Sequence, residues 1–184
     1  MRLLITLSAV LAAAHAAAAA EPEQAPVFVS GEGGYHTYRI PSATVGPKGT
    51  LLAFCEARKS GQGDAGDIDL VLRRSTDGGK TWGKTQVVWD DAANTCGNPC
   101  PVVDARTGTI HLLMTHNLGT DSESAIVSGK SKAGRTVWVS TSTDDGETWS
   151  KPAEITKGVT KPGWTWYATG PGVGIQLKSG RLLV

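Results

Sequence analysis

Acidic and basic residues nearly cancel in this chain: 17 Asp and Glu stand against 18 Lys and Arg, a net charge of +1. That balance gives no electrostatic reason to expect nucleic acid or an anionic membrane as a partner. Beyond the first twenty residues no stretch is long and apolar enough to span a bilayer as a helix, and none sustains a helical apolar period. Cysteine is scarce and odd in number. Cys96 and Cys100 could bridge locally, whereas Cys55 lies in the apolar run Leu51-Leu-Ala-Phe-Cys55 and reads as core. His36, His111 and His116 are scattered, and neither a C-x-x-C nor an H-x-x-x-H spacing occurs, so no metal site is expected.

The one apolar stretch is N-terminal. Arg2 supplies a positive start, Leu3 to Ala14 is too short to cross a membrane, and Ala18-Ala-Ala20 before Glu21 suits cleavage. Residues 1–20 therefore read as a signal peptide, and a short alanine-rich helix is the plainer alternative. The mature chain, 21–184, is expected in a secreted or periplasmic location without a membrane span. Its roughly 164 residues suffice for one ordinary domain.

Glycine, by contrast, is abundant, with 23 residues, and strand-like runs are short, as in all-β proteins with many tight turns. One eight-residue pattern occurs twice: Ser75-Thr-Asp77-Gly-Gly79-Lys-Thr81-Trp82 and Ser142-Thr-Asp144-Asp-Gly146-Glu-Thr148-Trp149. Its Asp can bond amides around a turn, its Gly accepts positive φ, and its Trp can pack beneath the loop. Two copies between strand-like runs indicate an array of similar β units.

The runs fall into groups of four. The first comprises Tyr38–Val45, Leu51–Ala57, Asp69–Ser75 and Gln86–Trp89; the second comprises Pro101–Asp104, Thr109–Thr115, Val137–Ser142 and Ala153–Thr156. A third begins at Gly174–Leu177 and Arg181–Val184. Tight hairpins are expected at Pro47-Lys-Gly49 and Arg106-Thr-Gly108. Four-stranded units that cannot bury both faces alone stack radially, so the expected fold is an all-β propeller, with a small closed β domain as the alternative.

Several residues could carry chemistry. In such a fold Arg39 opens the innermost strand, where its planar fork could meet a carboxylate; a surface arginine on an edge strand is the plainer reading. The loop from Arg58 to Asp69 is glycine-rich and carries Asp64, Asp67 and Asp69; paired aspartates could bind calcium, but the spacing lacks the later Glu of an EF-hand, and a general acid on a mobile loop is the other reading. The equivalent loop of the second group, Asn117 to Arg135, holds Asp121 and Glu123. Asn98 enters that group's inner strand and is expected beside Arg39, unless it simply caps a turn before Pro99.

Tyr38-Arg39-Ile40-Pro41 followed by the repeated turns, known as Asp boxes, resembles the sialidase (exo-α-neuraminidase) family. Leu51-Leu-Ala-Phe-Cys-Glu-Ala-Arg58, Asp69-Leu-Val-Leu-Arg-Arg74, Asn98-Pro-Cys-Pro-Val-Val-Asp104 and Gly170-Pro-Gly172 extend the resemblance over residues 27–184. It implies a six-bladed β-propeller, of which this chain would supply about the first two and a half blades. It also implies an exo-α-sialidase that releases terminal sialic acid with retention of configuration. The implied partners are sialylated glycans, glycoproteins or glycolipids, with no cofactor. Arg39 matches the first of three arginines that clamp the sugar carboxylate, and Arg58 matches a further arginine near it. Asp64 best matches the general acid/base, with Asp67 and Asp69 competing on spacing. Asn98 and Glu123 match positions that contact the substrate's side groups. The family's nucleophile is a tyrosine. That residue, its glutamate partner and the other two clamp arginines fall later in the family pattern than Val184. Tyr167 is expected to pack or to rim the site. On this resemblance the chain is the N-terminal portion of a longer propeller, inactive by itself; a non-catalytic glycan-binding Asp-box propeller is the alternative.

Overall fold

A computed structural model describes residues 24–184, so the segment read as a signal peptide lies outside the described residues. Strands β1 (Thr37–Val45), β2 (Leu51–Arg58), β3 (Ile68–Ser75) and β4 (Gln86–Trp89) form one antiparallel blade. Strands β5 (Thr95–Asp104), β6 (Thr109–Asn117), β7 (Thr136–Ser142) and β8 (Ala153–Glu154) form a second. A single parallel bridge, Ile68 to Thr95, joins them. The hairpin of β9 (Ile175–Gln176) and β10 (Leu182–Leu183) follows.

Period-two alternation explains why the blades stack. Leu52 and Phe54 of β2 and Leu70 and Leu72 of β3 point to one face, where they meet Ile110, Leu112 and Met114 of β6. All seven are fully buried, each such burial stabilising by roughly 1.5–3 kcal/mol. The intervening Cys55, Ala57 and Val71 point to the other face, which Phe28, Tyr35 and Tyr38 cover.

The sequence grouping differs from the fold at a few ends. β5 begins at Thr95 rather than Pro101, because a bulge carries its pairing with β6 past Pro99. β8 stops at Glu154 and gives way to a helical turn, α2 (Thr156–Val159). Another short helix, α1 (Glu123–Val127), lies in the β6–β7 loop, capped by the Ser122 hydroxyl accepting from the Ala125 amide. Cys96 and Cys100 are both free and buried, as is Cys55. Across the bulge Cys96 and Cys100 face His116 and Leu113 of β6, three residues apart and so about 10 Å, beyond the reach of a disulfide.

Both Asp boxes close through the same bonds. The Ser75 hydroxyl donates to Asp77 Oδ1 (2.7 Å) and accepts from the Gly79 amide (2.9 Å), while Thr81 donates its amide to Asp77 (3.0 Å). Ser142, Asp144, Gly146 and Thr148 repeat the set at 2.7, 2.9 and 2.9 Å. Thr81 and Thr148 hold the Asp77 and Asp144 carboxylates well below the usual carboxylate range. Trp149 packs edge-on against Phe54 beneath its turn.

The second box also clasps the first blade. Asp145 adopts φ +65° where the first box has Gly78 at +76°. Its Oδ1 accepts the Lys48 amide of the β1–β2 hairpin at 3.1 Å, and its carbonyl accepts Arg74 Nε at 3.2 Å. The carboxylate therefore compensates for a backbone conformation that costs a non-glycine residue about 1–2 kcal/mol. Asp145→Ala is expected to lower unfolding free energy by about 2 kcal/mol, because it loses the bond and keeps the strain. Asp145→Gly should lose only about half as much, since it relieves the backbone. Urea titrations of the two variants check this; equal losses would exclude a backbone contribution.

Candidate functional site

The inner strands of the two blades carry the same irregularity. On β1 three steps from Arg39 to Ser42 oppose two on β2, and on β5 three steps from Gly97 to Cys100 oppose two on β6. Each bulge places a non-glycine residue before proline in the left-handed region: Ile40 at φ +58° and Asn98 at +52°. The bulges lie at equivalent positions and turn both strands toward one opening, as such features do beside functional sites.

Arg39, Arg58, Asp64, Asn98 and Glu123 all line that opening, a cleft of about 210 Å³. Arg39 Nη1 and Arg58 Nη1 both contact Asp64 Oδ1, at 2.9 and 2.8 Å. The two arginines differ in freedom. Arg58 is only 2 % exposed and is committed to the Gln62 and Gly63 carbonyls (2.5 and 2.9 Å) and to Glu56 Oε2 (2.6 Å). Arg39 is 45 % exposed at its side chain and, among the described residues, bonds only Asp64 and, at 3.4 Å, the Gln62 carbonyl. Asp64 itself is 66 % exposed, on a loop with glycines at 61, 63 and 66.

The other acidic residues of that loop sit elsewhere. Asp67 pairs with Lys59 at 3.0 Å, and Asp69 is buried, accepting from the Tyr35 hydroxyl at 2.6 Å and pairing with Lys59 at 3.3 Å. Neither lines the cleft. Glu123, in the first turn of α1, is exposed and makes no hydrogen bond among the described residues. Tyr167 stacks on Trp164, centroids 6.0 Å apart, and is not among the cleft-lining residues.

Glu56, Arg135 and Trp166 complete the walls. Glu56 is 3 % exposed; its Oε2 takes Arg58, and its Oε1 accepts the Asn98 amide across the blade boundary at 3.1 Å. Asn98 Oδ1 accepts from Arg135 Nη2 (2.6 Å) and the Thr115 hydroxyl (3.1 Å), while its Nδ2 donates to the Gly170 carbonyl (2.9 Å). The Arg135 guanidinium lies over the Trp166 ring, 4.3 Å from its centroid. A charged pair spaced two apart in an otherwise apolar strand, Glu56 and Arg58, is a sequence signal for the first of these. No comparable signal marks Arg135.

The family profile described as BNR repeat-like domain matches residues 49–184. An exo-alpha-sialidase of Arthroderma benhamiae is 39% identical over 168 residues, covering 82% of this chain and 41% of its own length. Sialidase-4 of Mus musculus is 40% identical over 156 residues, covering 80% of this chain and 32% of its own. The sialidase of Micromonospora viridifaciens is 38% identical over 168 residues, covering 83% and 24%. The chain thus spans less than half the length of these curated relatives. Among solved structures, the Hadza microbial sialidase Hz136 superposes with a TM-score of 0.74 at 31% identity, over 83% of this chain and 32% of that one. The intramolecular trans-sialidase from Ruminococcus gnavus, at 18% identity and a TM-score of 0.70, shares the fold.

The cleft depends on Gly97, where an added Cβ would lie 2.2 Å from Glu56 Oε1 and 2.9 Å from its Cδ. Gly97→Ala is expected to cost about 2–3 kcal/mol of stability by driving Glu56 off its partners. Gly61→Ala, with nothing within 4 Å of its Cβ, should stay within about 0.5 kcal/mol. Urea unfolding of both variants measures the contrast, and equal stability would contradict the packing described.

Proposed function

Because the chain belongs to the sialidase family and has its β-propeller fold, we propose that this cleft binds the terminal sialic acid of sialylated glycans and contributes to its hydrolysis with retention of configuration. The observation that carries this reading is the convergence of Arg39, Arg58, Asp64, Asn98 and Glu123 on one cleft at the equivalent bulges of two blades.

Sialic acid is anionic at neutral pH, so its carboxylate seeks a planar cation with a free fork. Arg39 fits that role, being half exposed with one carboxylate partner. An arriving substrate carboxylate can replace Asp64 on Arg39 without loss of ion pairing, which leaves Asp64, on its glycine-rich loop, paired with Arg58 alone. In its protonated form Asp64 then donates to the leaving glycosidic oxygen and, as carboxylate, later activates water. Arg58 cannot make that exchange, since Glu56 and the loop carbonyls occupy it. It holds the acidic loop in place and adds positive charge beneath the bound anion. Asn98 shapes the wall, and the unpartnered Glu123 carboxylate is available to the sugar's hydroxyls.

The covalent route needs a tyrosine that no residue in the cleft lining supplies. Tyr35 is tied to Asp69, with burial and that carboxylate pushing its phenol well above the usual range. Tyr38 donates to the Glu32 carbonyl, and Tyr167 is stacked on Trp164. We therefore place the nucleophile outside residues 24–184 and assign turnover to the longest polypeptide carrying these residues. The proposed organisation is a leader over 1–20 and a propeller segment over 21–184, in a secreted or periplasmic enzyme. Among the described residues no helix is long and apolar enough to cross a membrane.

In that longest polypeptide, Arg39→Ala is expected to lower kcat/KM for an aryl sialoside by about 1.5–3 kcal/mol of transition-state binding, the usual value of a charge-assisted bond. Unchanged kinetics would remove Arg39 from the clamp. Asp64→Asn should preserve the melting temperature and reduce cleavage of natural sialosides by about 10²–10⁴-fold. Aryl sialosides, whose leaving groups need little protonation, should suffer far less. Equal losses on both substrates would show that Asp64 serves structure and not proton transfer, and a differential effect in Asp67→Asn would move the role to Asp67.

A further inference from the structure

Arg135 is the cleft residue whose surroundings are least balanced. It is 7 % exposed, and burial pushes its guanidinium below the usual arginine range. A buried cation is normally paired, because leaving water costs several kcal/mol per ion. Arg58 obeys that rule through Glu56 and Asp64. Arg135 does not: among the described residues no carboxylate lies within 4.0 Å of it, although Glu56, Glu123 and Asp64 surround it at longer range. Of its five N–H groups, the one bond found is Nη2 to Asn98 Oδ1, a neutral acceptor. Its Nε is buried and has no partner among the described residues.

The side chain is nevertheless held firmly. Trp166 lies under its flat face, Asn98 fixes one edge, and its own amide donates to the Thr165 carbonyl at 2.9 Å. A planar donor that is desolvated, held by a ring and a side-chain amide and left short of acceptors at a cleft wall is built for an acceptor that arrives with the ligand. Arg39 holds Asp64 and, among the described residues, Arg135 bonds neither of them, so a group other than the carboxylate assigned to Arg39 can meet it.

We propose that Arg135 is a second substrate-binding arginine, donating to a neutral oxygen of the sugar, hydroxyl or carbonyl, while Arg39 takes the carboxylate. This rests on the sialoside reading above. In that arrangement the sugar is gripped at two separated groups, which fixes its rotation in the cleft as well as its position. Asn98 then acts as a positioning residue for Arg135, with Glu56 fixing Asn98 through its amide.

The test is a double-mutant cycle in the longest polypeptide carrying these residues. Wild type, Arg135→Gln and Arg135→Lys are assayed on an aryl sialoside and on analogues that lack one oxygen substituent at a time, all retaining the carboxylate. On the parent substrate Arg135→Gln should lose roughly 10- to 150-fold in kcat/KM, the range for a bond to a charged donor. For one analogue the penalty should vanish, because wild type has already lost the same contact. A penalty undiminished on every analogue would make Arg135 a purely structural residue and overturn the proposal. If neither variant folds, a crystal structure of the wild-type protein with sialic acid decides: a ligand oxygen within hydrogen-bond distance of Arg135 supports the proposal, and its absence overturns it. Wild type that cleaves no sialoside would instead remove the functional reading, and this proposal with it.

Discussion

One buried carboxylate ties the cleft together. Glu56 spends one oxygen on Arg58, in its own blade, and the other on the Asn98 amide, in the next. Through Arg58 it fixes the loop that carries Asp64, and through Asn98 it fixes Arg135. Burying a charge this deeply is favourable only when both of its oxygens find donors, since an unpaired ion in the interior costs more than the pair returns. The demand is met by two blades together and by neither alone. The ion pair therefore acts as a registration device: the blades reach their relative position when Asn98 presents its amide, and that amide is available because the bulge turns it out of the β5–β6 ladder.

The distribution of freedom around this anchor suits a site that must receive an anion. Cleft residues near Glu56 are buried and fixed in place, whereas Arg39, Asp64 and Glu123 at the opening are exposed and lightly bound. Rigid donors at the base need no reorganisation when charge arrives, and mobile groups at the rim can exchange partners cheaply. The clasp formed by Asp145, Lys48 and Arg74 performs a comparable task elsewhere between the two blades. Between them, these contacts hold a stack whose common core is otherwise only greasy and non-directional.

What could be read from the chain divides by sequence distance. The Asp boxes were legible because their bonds run from Ser75 to Gly79 and from Asp77 to Thr81, within one turn. Strand grouping followed from short runs of strand formers between turn signals, which are also local. The five candidate site residues stood out through motif resemblance, and the chain brings all five to one cleft. Glu56 and Arg135 were not singled out. Their importance lies in partners 42 and 37 residues away, and no local period encodes that pairing. The start of β5 was misplaced for a related reason: Pro99 and Pro101 withhold amides and mimic a loop, while the bulge lets β6 pair past them.

The paired bulges have a consequence for how such a chain tolerates change in length. Side chains alternate along a strand, so each extra residue at Ile40 and Asn98 sets which side of the blade every earlier residue presents. Removing it from β1 would leave the hairpin able to pair yet carry Arg39 to the opposite side, facing the packed interior in place of the opening. Parity, and not length alone, is thus built into the inner strands. An insertion of two residues there would be gentler than the loss of one.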